Sequence, residues 1–358
     1  MSAAISRLQL HPDWIQLEQA AFVHPSGRLL RVREKESLDL LMRTVERGQP
    51  LADATAGLTE RDASAFLQLA RGLIEKGVLM RSLPATVPWL SVNKYARMRS
   101  QIISLAGMLR STERALLVQK RLAGARVALI GAGGSGAMLA LELIAAGVGA
   151  VRIVDDDHVE LENLGRQFLY RERDIGIAKV AALGEILRDY DSEARVEQMA
   201  MRVRDRDSAV TAVRDCNIAV VTADDPWPDL LRWVGAAARQ ADCSLLPTFY
   251  SSYGPLLRPS ASPCIECVLA WMDAGVRGVL GSSSRPLSSS DAARRLGGIG
   301  IGIAAAATAY AREVIGYISG VFSVRSLKGS VNVEDGQWKI NTDCMSFRCA
   351  FCDADAQQ

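Results

Sequence analysis

The residues best placed to do chemistry lie between Arg126 and Lys179. A short apolar run, Val127-Ala128-Leu129-Ile130, meets Gly131-Ala132-Gly133-Gly134-Ser135-Gly136 and continues as Ala-Met-Leu-Ala-Leu-Glu-Leu-Ile with helical spacing. The pattern reads as strand, tight glycine turn, helix. Gly131, Gly133, Gly134 and Gly136 let backbone N–H groups approach a nucleotide closely, and the partial positive charge of the helix N-terminus falls where phosphates would sit. A second apolar run, residues 151–154, ends in Asp155, where an acidic side chain can reach a ribose hydroxyl.

These features alone also satisfy the dinucleotide fingerprint of a dehydrogenase. The residues that follow separate the two readings. Asp155-Asp156-Asp157-His158-Val159-Glu160 precedes Asn163-Leu164-Gly165-Arg166-Gln167, and then Asp174-Ile175-Gly176-Ile177-Ala178-Lys179. A nicotinamide site has no need of Asn, Arg, Gln and Lys concentrated just past the ribose acid. A triphosphate does, because charge-assisted donors must hold its phosphates and stabilise the charge that builds as one leaves. No Gly-Lys-Ser/Thr follows the glycines, which argues against a P-loop kinase or ATPase.

In this order and spacing, Gly-x-Gly-Gly-x-Gly, Asp-x-Asp-x-Val, Asn-Leu-x-Arg-Gln and Asp-x-Gly-x-x-Lys resemble the adenylating superfamily of ThiF, MoeB and the ubiquitin-activating enzymes. The resemblance implies ATP-dependent adenylation of a carboxylate. It places Asp157 near the ribose and Asn163, Arg166, Gln167 and Lys179 around the phosphates.

A carboxylate for Mg²⁺ is available in Thr222-Ala223-Asp224-Asp225-Pro226, directly after the apolar strand at residues 218–221, at the end where α/β sheets place ligands. Resemblance to the peptide-adenylating enzyme of microcin C points to Asp224, whereas a register like that of MoeB selects Asp225. Either also fits as an N-cap for a helix beginning near Pro228. Cys264-Ile265-Glu266-Cys267 and Cys349-Ala350-Phe351-Cys352 are two CxxC pairs, which supply the four thiolates of a closed tetrahedral zinc site. The paired arrangement recurs in the adenylating family as a structural zinc. Of the other cysteines, Cys216 and Cys243 sit near apolar strands and read as core, and Cys344 has no His nearby in sequence to activate it.

The elements that must position these groups form an α/β fold: a Rossmann-like, mostly parallel sheet spanning residues 126–358 as an adenylation domain. Strand and helix alternate through residues 195–199 and 218–221, and right-handed crossovers set them in one sheet. Residues 275–298, rich in Gly, Ser and Arg, read as a mobile surface segment; resemblance makes it a crossover loop closing over peptide and adenylate. A long buried helix to about Ile318 follows, then short strands between 324 and 340 that cover the sheet.

Residues 1–81 read as a small α+β unit. Residues 21–24 and 29–32 flank Pro25-Ser26-Gly27-Arg28 as a hairpin, and a helix from Ser37 puts Leu38, Leu41, Met42 and Val45 on one face before Gly48. A short helix at 51–56 and a third opened by Thr59 and Asp62, with Phe66, Leu67, Leu73 and Ile74 inward, lead to a strand at 78–80. The pattern is similar to the winged-helix, PqqD-like domain that captures a ribosomally made precursor peptide. A packing or dimerisation domain is the plainer alternative.

Residues 82–125 read as a proline-bearing linker and a helical arm. Lys94-Tyr95-Ala96-Arg97 resembles the family sequence that sends an arginine to the ATP of a neighbouring subunit, making Arg97, or else Arg99, the in-trans finger of a homodimer. The order of parts resembles the enzymes of microcin C and pantocin A. It implies a precursor-peptide partner, with its C-terminal and side-chain carboxylates as alternative acceptors, and a ubiquitin-like sulfur carrier as the rival substrate.

Composition agrees with a globular enzyme. In 358 residues, 49% are apolar and 23% charged, and the net charge of +2 points to neither nucleic acid nor a membrane surface. The absence of a signal-peptide core and of an apolar run of about 18 residues leads to a cytoplasmic expectation. Seven cysteines then suggest thiols and metal ligands before disulfides.

Overall fold

A computed structural model describes residues 7–17, 21–24, 26–249, 252–259, 263–280, 300–321, 328–331 and 338–341. The chain divides into two compact units, Met1–Lys120 and Arg121–Gln358.

In the first unit, β1 (Leu8–Leu10), β2 (Ile15–Leu17), β3 (Ala21–Val23) and β4 (Leu29–Arg31) are followed by α1 (Lys35–Glu46), α2 (Leu51–Thr55), α3 (Glu60–Glu75) and β5 (Leu79–Arg81). The expected hairpin forms, with Val23 opposite Leu29, and β2 extends it into an antiparallel three-stranded sheet. Strand β1 was not foreseen and pairs antiparallel with β5, Leu8 opposite Arg81. Helix α1 begins two residues before the expected start and buries Leu38, Leu41 and Met42. Helix α3 opens where Thr59 Oγ1 accepts from the Asp62 N–H at 3.2 Å, a cap that contributes about 1 kcal/mol. Its Phe66 and Leu73 join Leu8, Phe22, Leu41 and Leu79 in one core. Each such side chain contributes roughly 1.5–3 kcal/mol on burial.

Residues 82–88, expected as a linker, are packed instead. Leu83 and Val87 are buried with Tyr95, Met98 and Ile102, and the Tyr95 hydroxyl donates to the Pro84 carbonyl at 2.8 Å. The helical arm is two helices, α4 (Val92–Leu109) and α5 (Thr112–Gly124), broken where Arg110 turns left-handed at φ 51°.

The second unit carries β6 (Arg126–Ile130), α6 (Gly134–Ala145), β7 (Ala150–Val154), α7 (Lys179–Tyr190), β8 (Val196–Met199), α8 (Arg206–Val213), β9 (Ile218–Val221), α9 (Asp229–Gln240), β10 (Ser244–Phe249), β11 (Ser252–Tyr253), α10 (Ile265–Leu280), α11 (Gly300–Ser319), β12 (Lys328–Val331) and β13 (Trp338–Asn341). They build one eight-stranded sheet ordered β13-β12-β11-β10-β9-β6-β7-β8. The run from β10 to β8 is parallel, and β11, β12 and β13 add antiparallel. Residues 328–331 and 338–341 thus extend the sheet rather than cover it, because β12 pairs edge to edge with β11 and β13 with β12. Residues 275–280, expected in the polar loop, complete α10. The rest of that loop, 281–299, lies outside the described residues.

Alternate residues of β6 and β9, such as Ala128, Ile130, Ala219 and Val221, pack against α8 and α9. On α6 and α11, Thr308 Oγ1 donates to Glu142 Oε1 at 2.7 Å. Strand order reverses at β6, with β7 on one side and β9 on the other. Open α/β sheets bind ligands at such a switch point, beyond the carboxyl ends of the strands.

Candidate functional site

A cleft of about 720 Å³ opens at that edge. Its centre is the turn after β6. Gly131 has φ +113°, and a Cβ there would stand 2.7 Å from the Ala223 backbone nitrogen. A Cβ on Gly136 would meet the Gly131 carbonyl oxygen at 2.1 Å, so only glycine lets α6 begin this close to the strand. Gly133 takes the N-cap position of α6 with no capping side chain, and Gly133 and Gly134 line the cleft. The free N–H groups of that first turn form an anion cradle.

Three side chains hold the turn. Thr222 Oγ1, just past β9, donates to the Gly131 carbonyl at 2.9 Å. The Tyr170 hydroxyl donates to the Ala132 carbonyl at 2.7 Å, and burial pushes its pKa well up. Asp155, expected to reach a ribose hydroxyl, lines the cleft, and it also holds the turn: one of its oxygens accepts from the Ala132 N–H at 2.6 Å and the other from the Asp157 N–H at 2.8 Å. Its carboxylate therefore shapes the turn, and burial holds its pKa above the ordinary value despite those donors.

Asp156 and Asp157 are both exposed along the cleft, and Lys179 Nζ lies 2.9 Å from Asp157 Oδ2. Lys179 is the first residue of α7. Asn163, expected among the phosphate ligands, does not line the cleft. Its Oδ1 accepts from the Glu160 N–H at 3.1 Å, and its carbonyl accepts from the backbone N–H groups of Arg166 and Gln167 at 3.0 and 2.8 Å. It thus builds the 3-10 turn at Leu161–Gly165 that presents Arg166 and Gln167 to the cleft. Gln167 is only 5% exposed, and its buried Oε1 has no hydrogen-bond partner among the described residues.

Asp224 and Asp225, after β9, also line the cleft. Neither caps α9, whose N-cap is Pro228. Asp225 pairs with Arg202, the residue three past the end of β8. Asp224 carries no ion pair among the described residues, and burial together with the neighbouring Asp225 holds its pKa above the ordinary carboxylate value. Thr248, Ile303, Ala306 and Tyr310 close the end beside β10 and α11. Tyr170, Thr222, Arg202 and Tyr310 were missed in the sequence. Two of them, Thr222 and Arg202, sit just beyond predicted strand ends, which was the available signal.

Asp224, a cleft-lining carboxylate with no ion pair among the described residues, fits a hard cation that prefers oxygen ligands. Buried Cys264 and Cys267 have Sγ atoms 3.9 Å apart. Two thiolates on one tetrahedral zinc with bonds near 2.3 Å sit about 3.8 Å apart, so the pair fits that metal. Cys344, Cys349 and Cys352 lie outside the described residues. Arg97 and Arg99 are on the exposed face of α4, in the first unit.

Comparison with known proteins bears on this geometry directly: the ThiF family matches residues 99–354. The chain belongs to the ThiF family. The sulfur carrier protein ThiS adenylyltransferase of Bacillus subtilis (strain 168) is 37% identical over 155 residues, 42% of this chain and 46% of that protein. The chain thus spans less than half the length of this ThiF-family relative. Among solved structures, E. coli MccB with MccA-N7isoASN has a similar fold, with a TM-score of 0.67 and 22% identity over 97% of this chain and 99% of MccB. MccB has also been solved with ATP, at a TM-score of 0.65 and 22% identity over 96% of this chain and 99% of that one. PaaA gives a TM-score of 0.62 and 21% identity over 76% of this chain and 90% of its own. Among the described residues, no helix is long and apolar enough to cross a membrane.

Proposed function

We propose that this ThiF-family chain uses ATP and magnesium to adenylate a carboxylate of a ribosomally made precursor peptide, releasing pyrophosphate, in the cytoplasm and as a homodimer. The observation that carries this reading is the meeting of the glycine turn, Arg166, Lys179 and Asp224 in one cleft. No side chain there has to act as a nucleophile. A carboxylate is already ionised near neutral pH, and its oxygen can attack the α-phosphorus while the bond to the pyrophosphate oxygen breaks. Such a transfer needs orientation and neutralisation of charge.

The turn N–H groups, Lys179 and Arg166 would hold the phosphates, and Asp157 the ribose once Lys179 exchanges it for phosphate oxygens. Asp224 would hold magnesium, which when bound offsets charge on the departing pyrophosphate. Arg97 would complete the site of a second copy. Cys264 and Cys267 with Cys349 and Cys352 would hold a structural zinc, and the first unit would recognise the peptide in the manner of a PqqD-like domain.

A sulfur-carrier substrate is the second reading, favoured by the identity to the Bacillus ThiS adenylyltransferase. The peptide reading is supported by a likeness to MccB that runs the full length of both chains, the first unit included. ATP–pyrophosphate exchange decides between them. Exchange stimulated by a peptide encoded in a short reading frame beside this gene supports the peptide. Exchange that stays silent with every such peptide and appears with a Gly-Gly-ended carrier overturns it. Mass spectrometry of the co-expressed peptide then locates the modified carboxylate.

A further inference from the structure

Strands β8 and β9 stand three places apart, with β7 and β6 between them, about 14 Å at roughly 4.8 Å per spacing. The loops after these two strands are nevertheless joined, because the Arg202 guanidinium bonds the Asp225 carboxylate. Both residues line the cleft and both are about half exposed, at 47% and 49%. An ion pair this open to water adds little to fold stability, so holding the sheet together is a poor account of it. Its effect on the charge of the cleft is larger. Asp224 and Asp225 are consecutive anions on the wall that must accept a polyanionic triphosphate, and repulsion between such charges is appreciable in a partly enclosed site.

We infer that Arg202 is a positioning residue that acts through Asp225, engaging that carboxylate so that, of the two neighbouring acids, Asp224 is left open to the cation accompanying ATP. The inference rests on the adenylation reading and goes beyond it by giving the two acids different duties and naming the residue that separates them.

The alternative is that Arg202 grips the nucleotide itself, and a double-mutant cycle separates the two. The full chain is titrated with a fluorescent ATP analogue in magnesium, with thermal melting of each variant as the folding control. Arg202→Gln should weaken binding about tenfold, the order of one screened charge interaction. Adding Asp225→Asn to it should recover most of the loss, since the carboxylate no longer needs an escort. Asp224→Asn should abolish the dependence of binding on magnesium. Arg202→Lys, which keeps the charge, should bind as the wild type does, and it provides the test if Arg202→Gln fails to fold. A double variant as weak as Arg202→Gln, an Arg202→Gln variant that binds normally, or a folded Arg202→Lys variant that binds tenfold more weakly overturns the inference while the adenylation reading stands. A wild-type chain that binds no ATP overturns both.

Discussion

Lys179 and Asp157 are joined twice: Nζ lies 2.9 Å from Oδ2, and the Lys179 N–H donates to the Asp157 carbonyl at 2.8 Å. The backbone bond fixes where α7 starts relative to the loop after β7. The side-chain bond holds a buried amine against a carboxylate that lines the cleft. Because Asp157 is 66% exposed and Lys179 8%, losing the amine leaves a carboxylate in water and no buried charge. Lys179→Met should therefore change the melting temperature little but lower ATP–pyrophosphate exchange by about 10²–10³-fold, the usual cost of removing one preorganised charge donor. A variant that keeps near wild-type exchange would remove Lys179 from the phosphate site.

Tyr170 should behave differently. Its hydroxyl donates to the Ala132 carbonyl, and both lie in the buried interior. Tyr170→Phe leaves that carbonyl unsatisfied at roughly 1–3 kcal/mol. The expected result is a lower melting temperature and a raised Kd for ATP, because the glycine turn loosens, with the maximal exchange rate much less affected. Loss of stability with unchanged ATP affinity would show that the turn keeps its shape without the hydroxyl.

These two residues also mark what could be read in the sequence. Lys179 stands in a run of motifs whose spacing alone implied a triphosphate, and Gly131 to Gly136 announced strand, turn and helix. Tyr170 belongs to no such pattern, since its partner, Ala132, is 38 residues away and bonds through backbone oxygen. The second duty of Asp155 was hidden for a related reason. An acid at a strand end suits a ribose hydroxyl, and nothing in the sequence says that two backbone N–H groups also bond its oxygens. Strand β1 escaped notice because three residues carry no usable periodicity, and its partner β5 lies some seventy positions on, as Leu8 opposite Arg81 shows. Strands β12 and β13 were seen, but nothing in their sequence says that they pair at a sheet edge.

The acid limb of the pH–rate profile should report Asp224. This carboxylate must be ionised to hold a cation, and its pKa is raised first by burial and then by Asp225. Exchange should thus fall, as pH is lowered, at a value above the ordinary 3.8 of an aspartate. The stability linkage has the opposite sense: a raised folded pKa makes ionisation of Asp224 a cost that appears as pH rises through that window. Asp225→Asn removes one cause of the shift and should move the acid limb to lower pH. Movement to higher pH, or none, would mean that another group sets the limb.

Zinc is tested by stoichiometry. With Sγ atoms 3.9 Å apart, Cys264 and Cys267 need no rearrangement to share a tetrahedral ion. Purified chain should contain about one zinc per molecule, and Cys264→Ser or Cys349→Ser should remove it and lower the melting temperature, because a four-thiolate site contributes folding energy outright. Zinc retained in Cys349→Ser would exclude the second CxxC pair from the site.

The last prediction concerns Arg97, on the exposed face of α4. If it completes the ATP site of a second copy, then neither Arg97→Ala nor Asp224→Ala alone should support exchange, yet their mixture should. In a two-fold dimer each mixed pair contains one site with both defects and one with neither. Equal amounts exchanging freely make half of all dimers mixed, so about a quarter of wild-type activity should return. Arg97 acting within its own chain gives a different result, since every site would then lack one residue or the other. Mixing followed by incubation long enough for subunit exchange, with dimerisation verified by light scattering, separates the two cases. Recovery near a quarter assigns the arginine to the partner's nucleotide, and no recovery in verified mixed dimers returns it to the surface of α4.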